Sequence, residues 1–300
     1  MQKRHIVLPF FFNLLHLMSF SQMQFTSPEL RANHNFLVKK IRLASGVQLN
    51  YVEQGRERSQ PVIFLHGITD SWYSYESLLP FLPPSIHAYA ITQRGHGDAD
   101  KPLGSYDPSV FAADLAAFIK ELNLGPAIIV GHSMGATIAQ RFGLDYPQLT
   151  KGLVLIGSFA SFGDKPDMKE FTDFVNQLTD PVDSTFIYEF QKSTLAKAIP
   201  ASQLQMFVSE SRKVPAHVWQ SVMKSLMEIN YNDELKKMNI PTLLVWGDKD
   251  AFVTGQDQEI LLNHIKGSRL IIYKNTGHAV HWEEPLRFAT DLLVFINKLL

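Results

Sequence analysis

Not one of the 300 residues is a cysteine. Disulfide frameworks, thiolate zinc sites, cysteine nucleophiles and a lipid-modified N-terminal cysteine are excluded together, so covalent chemistry must use oxygen or nitrogen nucleophiles. Charge of one sign is also lacking: Lys+Arg 28 against Asp+Glu 29 leaves a net charge of -1. Nothing in that balance calls for a phosphate backbone or an anionic membrane surface, and nucleic acid is not an expected partner. No apolar run reaches the roughly 20 uninterrupted residues of a spanning helix, so no permanent membrane span is expected. H-E-x-x-H and similar metal spacings are absent, and neither a metal nor a cofactor is expected. What remains, 45% hydrophobic and 19% charged residues, is the make-up of a globular chain with a sizeable buried core.

The N-terminus reads as a leader. Lys3, Arg4 and His5 precede the apolar stretch Ile6 to Phe20, which Pro9, Asn13 and His16 interrupt, and Ser19-Phe20-Ser21 forms a small-x-small triplet ahead of Gln22. That is the layout of a secretory signal peptide over residues 1–21, and it implies an exported protein, periplasmic or secreted.

Val38 to Leu43 and Val47 to Glu53 are β-prone runs joined by Ser45-Gly46 and predict an antiparallel hairpin. Beyond them come continuous apolar runs, Val62 to Leu65, Ala88 to Ile91, Ala127 to Val130, Leu153 to Ile156, Thr242 to Val245 and Leu270 to Tyr273, as expected of strands buried on both faces. Helical patterns at Pro108 to Leu122, Gly135 to Tyr146, Gln256 to Ile265 and Pro285 to Leu300 separate several of them. Alternation of this kind predicts an α/β fold with a doubly wound, mostly parallel sheet of about eight strands. Between the sixth and seventh strands the alternation stops. Four helical patterns, Met168 to Leu178, Ser184 to Lys197, Ser202 to Lys213 and Pro215 to Ile229, punctuated by Pro166, Pro181, Pro200 and Pro215, predict a helical cap. The expected organisation is a core in two parts, 22–159 and 239–300, with the cap at 160–238.

Gly131-His132-Ser133-Met134-Gly135 sits between a strand and a helix. A turn that holds a nucleophile in strained geometry above a sheet needs neighbours without side chains, which is what G-x-S-x-G provides. The bare pattern arises by chance on the order of 0.1 times in this length, and its strand–turn–helix context sharpens it. A serine hydroxyl requires a histidine base, and that base a carboxylate partner. Trp246-Gly247-Asp248-Lys249-Asp250 and Thr276-Gly277-His278 both follow strands, at the carboxyl ends where ligands collect in open α/β sheets. Either Asp248 or Asp250 can serve as the acid on spacing alone.

These motifs, with His66-Gly67, Arg94-Gly95-His96-Gly97 and Gly277-His278 ahead of Glu283-Glu284-Pro285, make the chain from about residue 38 to 300 resemble the α/β-hydrolase superfamily, in its branch of serine esterases, lactonases and cofactor-free perhydrolases. The resemblance implies Ser133 as nucleophile, His278 as base and Asp250, rather than Asp248, as the orienting acid. It implies an oxyanion hole of the Ile68 and Met134 backbone N–H groups. His281 is the rival base and is expected near Glu283; His66 is expected to brace its loop, and His96 and His132 to be packed. Haloalkane dehalogenases and epoxide hydrolases share the fold but attack with a carboxylate, whereas the elbow here carries Ser133; the loop His66-Gly67-Ile68-Thr69-Asp70 also differs from the proline-rich one of proline iminopeptidases. The implied activity is hydrolysis of a small apolar carboxylic ester or lactone through an acyl-enzyme. Carbon–carbon hydrolysis of a diketone-like substrate, or ligand binding with low turnover, are the alternatives. Trp72, Tyr73, Phe159, Phe162, Phe174, Phe186, Phe190, Phe207 and Trp219 are candidates to line an apolar pocket, against the simpler expectation that most of them pack.

Overall fold

Each central strand feeds two cores. Along β3 (Gln60–Leu65), β5 (Ala127–His132) and β6 (Thr150–Ile156), Ile63, Leu65, Ile129, Leu153 and Leu155 pack into one hydrophobic cluster. The alternate residues Val62, Phe64, Ile128, Val130, Val154 and Ile156 pack into a second cluster. Side chains of successive strand residues point to opposite faces, so a strand covered on both sides must be apolar throughout. Burial of each such side chain contributes about 1.5–3 kcal/mol, which explains why these runs contain no polar interruption.

A computed structural model describes residues 36–163 and 165–300; the leader expected over 1–21 lies outside the described residues. The remaining strands are β1 (Lys39–Arg42), β2 (Gln48–Gln54), β4 (Ile86–Thr92), β7 (Thr242–Gly247) and β8 (Arg269–Tyr273). They form one eight-stranded sheet in the order β1-β2-β4-β3-β5-β6-β7-β8. β1 and β2 are the expected hairpin, β2 also runs antiparallel to β4, and every other pairing is parallel.

The core helices are α1 (Pro108–Glu121), α2 (Met134–Asp145), α8 (Gly255–His264) and α10 (Pro285–Asn297). Their starts are written locally: Asp107 accepts from Ser109 N–H ahead of Pro108, and Thr254 and Asp257 form a reciprocal capping box on α8. Between β6 and β7 lies the helical insertion, α3 (Pro166–Val175), α4 (Ser184–Ser193), α5 (Ala201–Ser211) and α6 (Ala216–Glu228), followed by the one-turn α7 (Asn232–Leu235). Pro200 and Pro215 sit at the N-caps of α5 and α6, where a missing N–H costs nothing. The helix expected to run from Ser184 to Lys197 stops at Ser193, and the Thr194 carbonyl accepts from the His278 and Ala279 N–H groups instead. Short segments that carry no period of their own, α7, α9 (Val280–Glu283) and the 3₁₀ turn Trp72–Tyr75, are additions to the expected elements. Among the described residues no helix is long and apolar enough to cross a membrane.

Candidate active site

β5 and α2 meet at Ser133 with no residue between strand and helix to spare. Ser133 takes φ 52 and ψ -115, the left-handed side of the backbone map where a side chain is strained. Its flanking glycines are required by contact: a Cβ on Gly131 would run into Gly135 O, and one on Gly135 into Leu65 O. The carbonyl of Ile156 accepts the Ser133 N–H at 2.9 Å, and α2 begins on the Ser133 carbonyl, which accepts from Ala136 at 2.8 Å. The turn is therefore fixed from both sides, and Ser133 lines a pocket beneath the helical insertion.

His278 lines the same pocket. Its Nδ1 donates to Asp250 Oδ2 at 2.7 Å, and the Asp250 side chain has no exposed surface. The other carboxylate oxygen, Oδ1, accepts from Phe252 N–H at 2.8 Å and Val253 N–H at 3.0 Å. Three N–H donors thus converge on one buried carboxylate, which satisfies its oxygens without water. Asp248 lies elsewhere. Its Oδ1 accepts from Asn275 N–H at 2.6 Å and its Oδ2 is 3.4 Å from Lys274 Nζ. The loop bearing His278 is clamped as well, with His278 N–H donating to Thr194 O at 2.8 Å and Gly277 N–H to Glu283 Oε1 at 3.0 Å.

Ile68 lines the pocket, and Met134 is the first residue of α2, so its N–H has no intrahelical acceptor. Among the described residues neither the Ile68 nor the Met134 N–H donates to a protein acceptor. The positive end of the α2 dipole adds to the attraction for negative charge at this point.

The other histidines are structural by their contacts. His66 Nδ1 donates to Gly67 O at 2.7 Å while its Nε2 accepts from Gln93 N–H at 3.0 Å, which ties together the loops after β3 and β4. His96 is buried with Nδ1 2.8 Å from Arg94 O, and burial lowers its pKa to about 4. His132 Nε2 donates to His278 O at 3.2 Å, and burial, then the neighbouring histidines, hold it well below its usual range. His281 is not turned toward Glu283. It stacks on Tyr75 with ring centroids 4.8 Å apart, its Nε2 is 3.0 Å from Ser74 Oγ, and burial lowers its pKa to about 3. Glu283 instead accepts from Gly277 and Ala196 N–H groups, locking the His278 loop to the insertion.

Of the aromatic candidates, Phe159, Phe162 and Phe190 line the pocket, whereas Phe174 is half exposed and Trp219 is packed between Phe186 and Phe190. Phe171, Phe252, Met223, Leu226 and Trp282 complete an apolar wall that the sequence did not single out. Asp70, Gln191 and Thr194 interrupt it with polar side chains, and Gln191 Nε2 donates to Asp70 Oδ1 at 3.0 Å. Burial raises the Asp70 pKa to about 7, against the opposing effects of the Gln191 hydrogen bond and His278. The sequence offers one signal for Asp70, its place in the loop after His66-Gly67, and none for Gln191. Among the described residues no group of three or more His, Asp or Glu side chains is placed to hold a metal ion.

Comparison with known proteins identifies the fold. A family model for the alpha/beta hydrolase fold matches residues 60–285. Over 304 aligned residues the chain is 25% identical to epoxide hydrolase 3 of Mus musculus, covering 89% of this chain and 80% of that protein. A shorter stretch of 126 residues is 36% identical to the 2-(acetamidomethylene)succinate hydrolase of Mesorhizobium japonicum, 42% of this chain and 44% of that one. Among solved structures, an esterase from Exiguobacterium antarcticum superposes with a TM-score of 0.79 at 23% identity, covering 87% of this chain and 100% of that chain, a likeness of fold.

Proposed function

The chain belongs to the alpha/beta hydrolase family, and on that premise we propose that it is a serine hydrolase of small apolar carboxylic esters or lactones working through an acyl-enzyme. The observation that carries the proposal is the convergence on one pocket of a strained, glycine-flanked Ser133 and of His278 held at 2.7 Å by the buried Asp250.

In this reading Ser133 Oγ attacks the substrate carbonyl carbon while His278 Nε2 takes its proton; Asp250 keeps the other ring proton on Nδ1 and steadies the imidazolium. The carbonyl oxygen, now carrying the negative charge, accepts from the Ile68 and Met134 N–H groups, each worth about 3 to 4 kcal/mol of barrier. Collapse breaks the ester C–O bond, and the imidazolium protonates the departing alkoxide. Water then repeats the sequence on the acyl-enzyme, with His278 again as base, releasing the acid and restoring Ser133. The apolar wall of Phe159, Phe171, Phe190 and Leu226 favours an uncharged substrate.

Kinship with epoxide hydrolases does not carry their reaction over, because a carboxylate nucleophile is the feature of that chemistry and Ser133 stands at the elbow here. A panel of short-chain esters, lactones, diketones and epoxides, with a fluorophosphonate probe alongside, tests the proposal. Turnover of esters or lactones with covalent labelling supports it; cleavage confined to diketones moves it to carbon–carbon hydrolysis, and neither labelling nor turnover moves it to a binding protein. We also propose that the protein is exported after cleavage behind Ser21. A mature N-terminus at Gln22 by mass spectrometry supports export, and an intact Met1 in the cytosolic fraction refutes it.

A further inference from the structure

The loop that follows β3 is held from the helical insertion. Thr69 sits at φ 68, a left-handed conformation that a β-branched residue keeps only when its surroundings impose it. Within residues 67–70 the backbone supplies one turn bond, Asp70 N–H to Gly67 O at 3.3 Å. The Asp70 carboxylate also meets the Gly67 backbone and the Ser74 side chain nearby, and further restraints on Thr69 and Asp70 come from far along the chain. Gln191 Nε2, on α4, lies 3.2 Å from Thr69 Oγ1 and 3.0 Å from Asp70 Oδ1. The same nitrogen is 2.7 Å from Ser211 Oγ at the end of α5, and Ser211 Oγ in turn reaches Thr69 Oγ1 at 3.1 Å and Thr69 O at 3.3 Å. Gln191, Thr69 and Ser211 are all buried, so water does not compete for these bonds.

We propose that Gln191 is a positioning residue of the active site: by tying Thr69 and Asp70 to two helices of the insertion, it holds the strained loop in the shape that presents the Ile68 N–H to the reacting carbonyl. This rests on the reading of Ile68 as an oxyanion donor. Relaxation of φ at Thr69 swings the residues before it, Ile68 included. A donor that stabilises charge present only in the transition state acts on kcat and leaves ground-state binding nearly unchanged. The insertion is thus part of the catalytic apparatus as well as a cover over the pocket.

The experiment compares Gln191→Ala, Thr69→Gly and the double variant with wild type on p-nitrophenyl acetate, with Ser133→Ala in the same series. Gln191→Ala is expected to lower kcat by roughly ten- to a hundred-fold, at or below the loss of about 10²–10³-fold for removing an oxyanion donor outright, with KM moving by less than about twofold. Glycine adopts φ 68 without strain, so adding Thr69→Gly to Gln191→Ala should restore at least about half of the lost decades of kcat. A purely structural role for Gln191 gives no such rescue. Should Gln191→Ala fail to fold, Ser211→Ala, which removes one arm of the same ring, is expected to show a smaller loss in kcat with the same rescue. A kcat within twofold of wild type, a loss carried by KM, or a loss that Thr69→Gly does not relieve overturns the proposal. Activity surviving in Ser133→Ala overturns the serine reading and this inference with it, which distinguishes that failure from a failure of Gln191 alone.

Discussion

Replacing Asp250 by Asn changes one atom and tests the charge and tautomer logic of the site. Asp250 Oδ1 accepts from both Phe252 and Val253 N–H groups, while Oδ2 alone meets His278 Nδ1. Asn at this position keeps its carbonyl oxygen toward the two loop N–H donors, because turning the NH₂ there would set donor against donors. The NH₂ then faces His278 Nδ1, which must become an acceptor and leave its proton on Nε2, the nitrogen needed to take the Ser133 proton. The ring is held in the wrong tautomer. The expected loss in kcat is ~10³–10⁴-fold, or about 4–5.5 kcal/mol of barrier, with the fold intact because the loop bonds survive. Asp248→Asn, whose carboxylate meets only Asn275 N–H and Lys274, should change kcat by no more than a few-fold. Steady-state kinetics on an activated short-chain ester, paired with circular dichroism, makes the measurement. More than a tenth of wild-type kcat remaining in Asp250→Asn, or a larger loss in Asp248→Asn, refutes the reasoning.

Two further outcomes follow from the same geometry. Asp70, pushed by burial from 3.8 up to about 7, is protonated in the folded chain over a range where the unfolded chain has ionised it. The folded state binds the extra proton, so its contribution to stability is present below about pH 3.8 and is lost as pH rises toward about 7, by up to ~4 kcal/mol. Urea midpoints from pH 4 to 8 should therefore show Asp70→Asn gaining on wild type as pH rises; a constant difference between the two would contradict this. Gly135→Ala, whose methyl would meet Leu65 O and His66 O, backbone atoms that cannot step aside, should cost ~2–3 kcal/mol of stability and most of the activity, and a fully active, equally stable variant would show that the elbow has slack.

The sheet was legible because its signal is local. Runs such as Ala127 to Val130 and Leu153 to Ile156 are apolar at every position since both faces are covered, and that pattern survives in one dimension. The elbow was legible for a similar reason: the two glycines, the serine and the strand-to-helix switch are adjacent in sequence. The candidate acid was less so: Asp248 and Asp250 stand two residues apart on one loop, spacing alone does not choose between them, and beyond the family resemblance it is the folded loop that brings Asp250 to His278 and Asp248 to Lys274. Gln191 carried no signal. It is a polar residue in an amphipathic helix, the commonest of surface patterns, and its burial depends on partners 121 and 122 positions away. The pocket wall failed in the same way: Phe171 and Phe252 line it while Phe174 and Trp219 do not, a choice made by how the insertion seats on the sheet.

The most direct test of the account is to locate the covalent intermediate. Protein incubated with a fluorophosphonate, digested and sequenced by mass spectrometry should carry one adduct, on Ser133, while Ser133→Ala should take up none and lose at least about 10³-fold in kcat on the best ester of the panel. An adduct on another residue, or ester turnover above a tenth of wild type in Ser133→Ala, would contradict it.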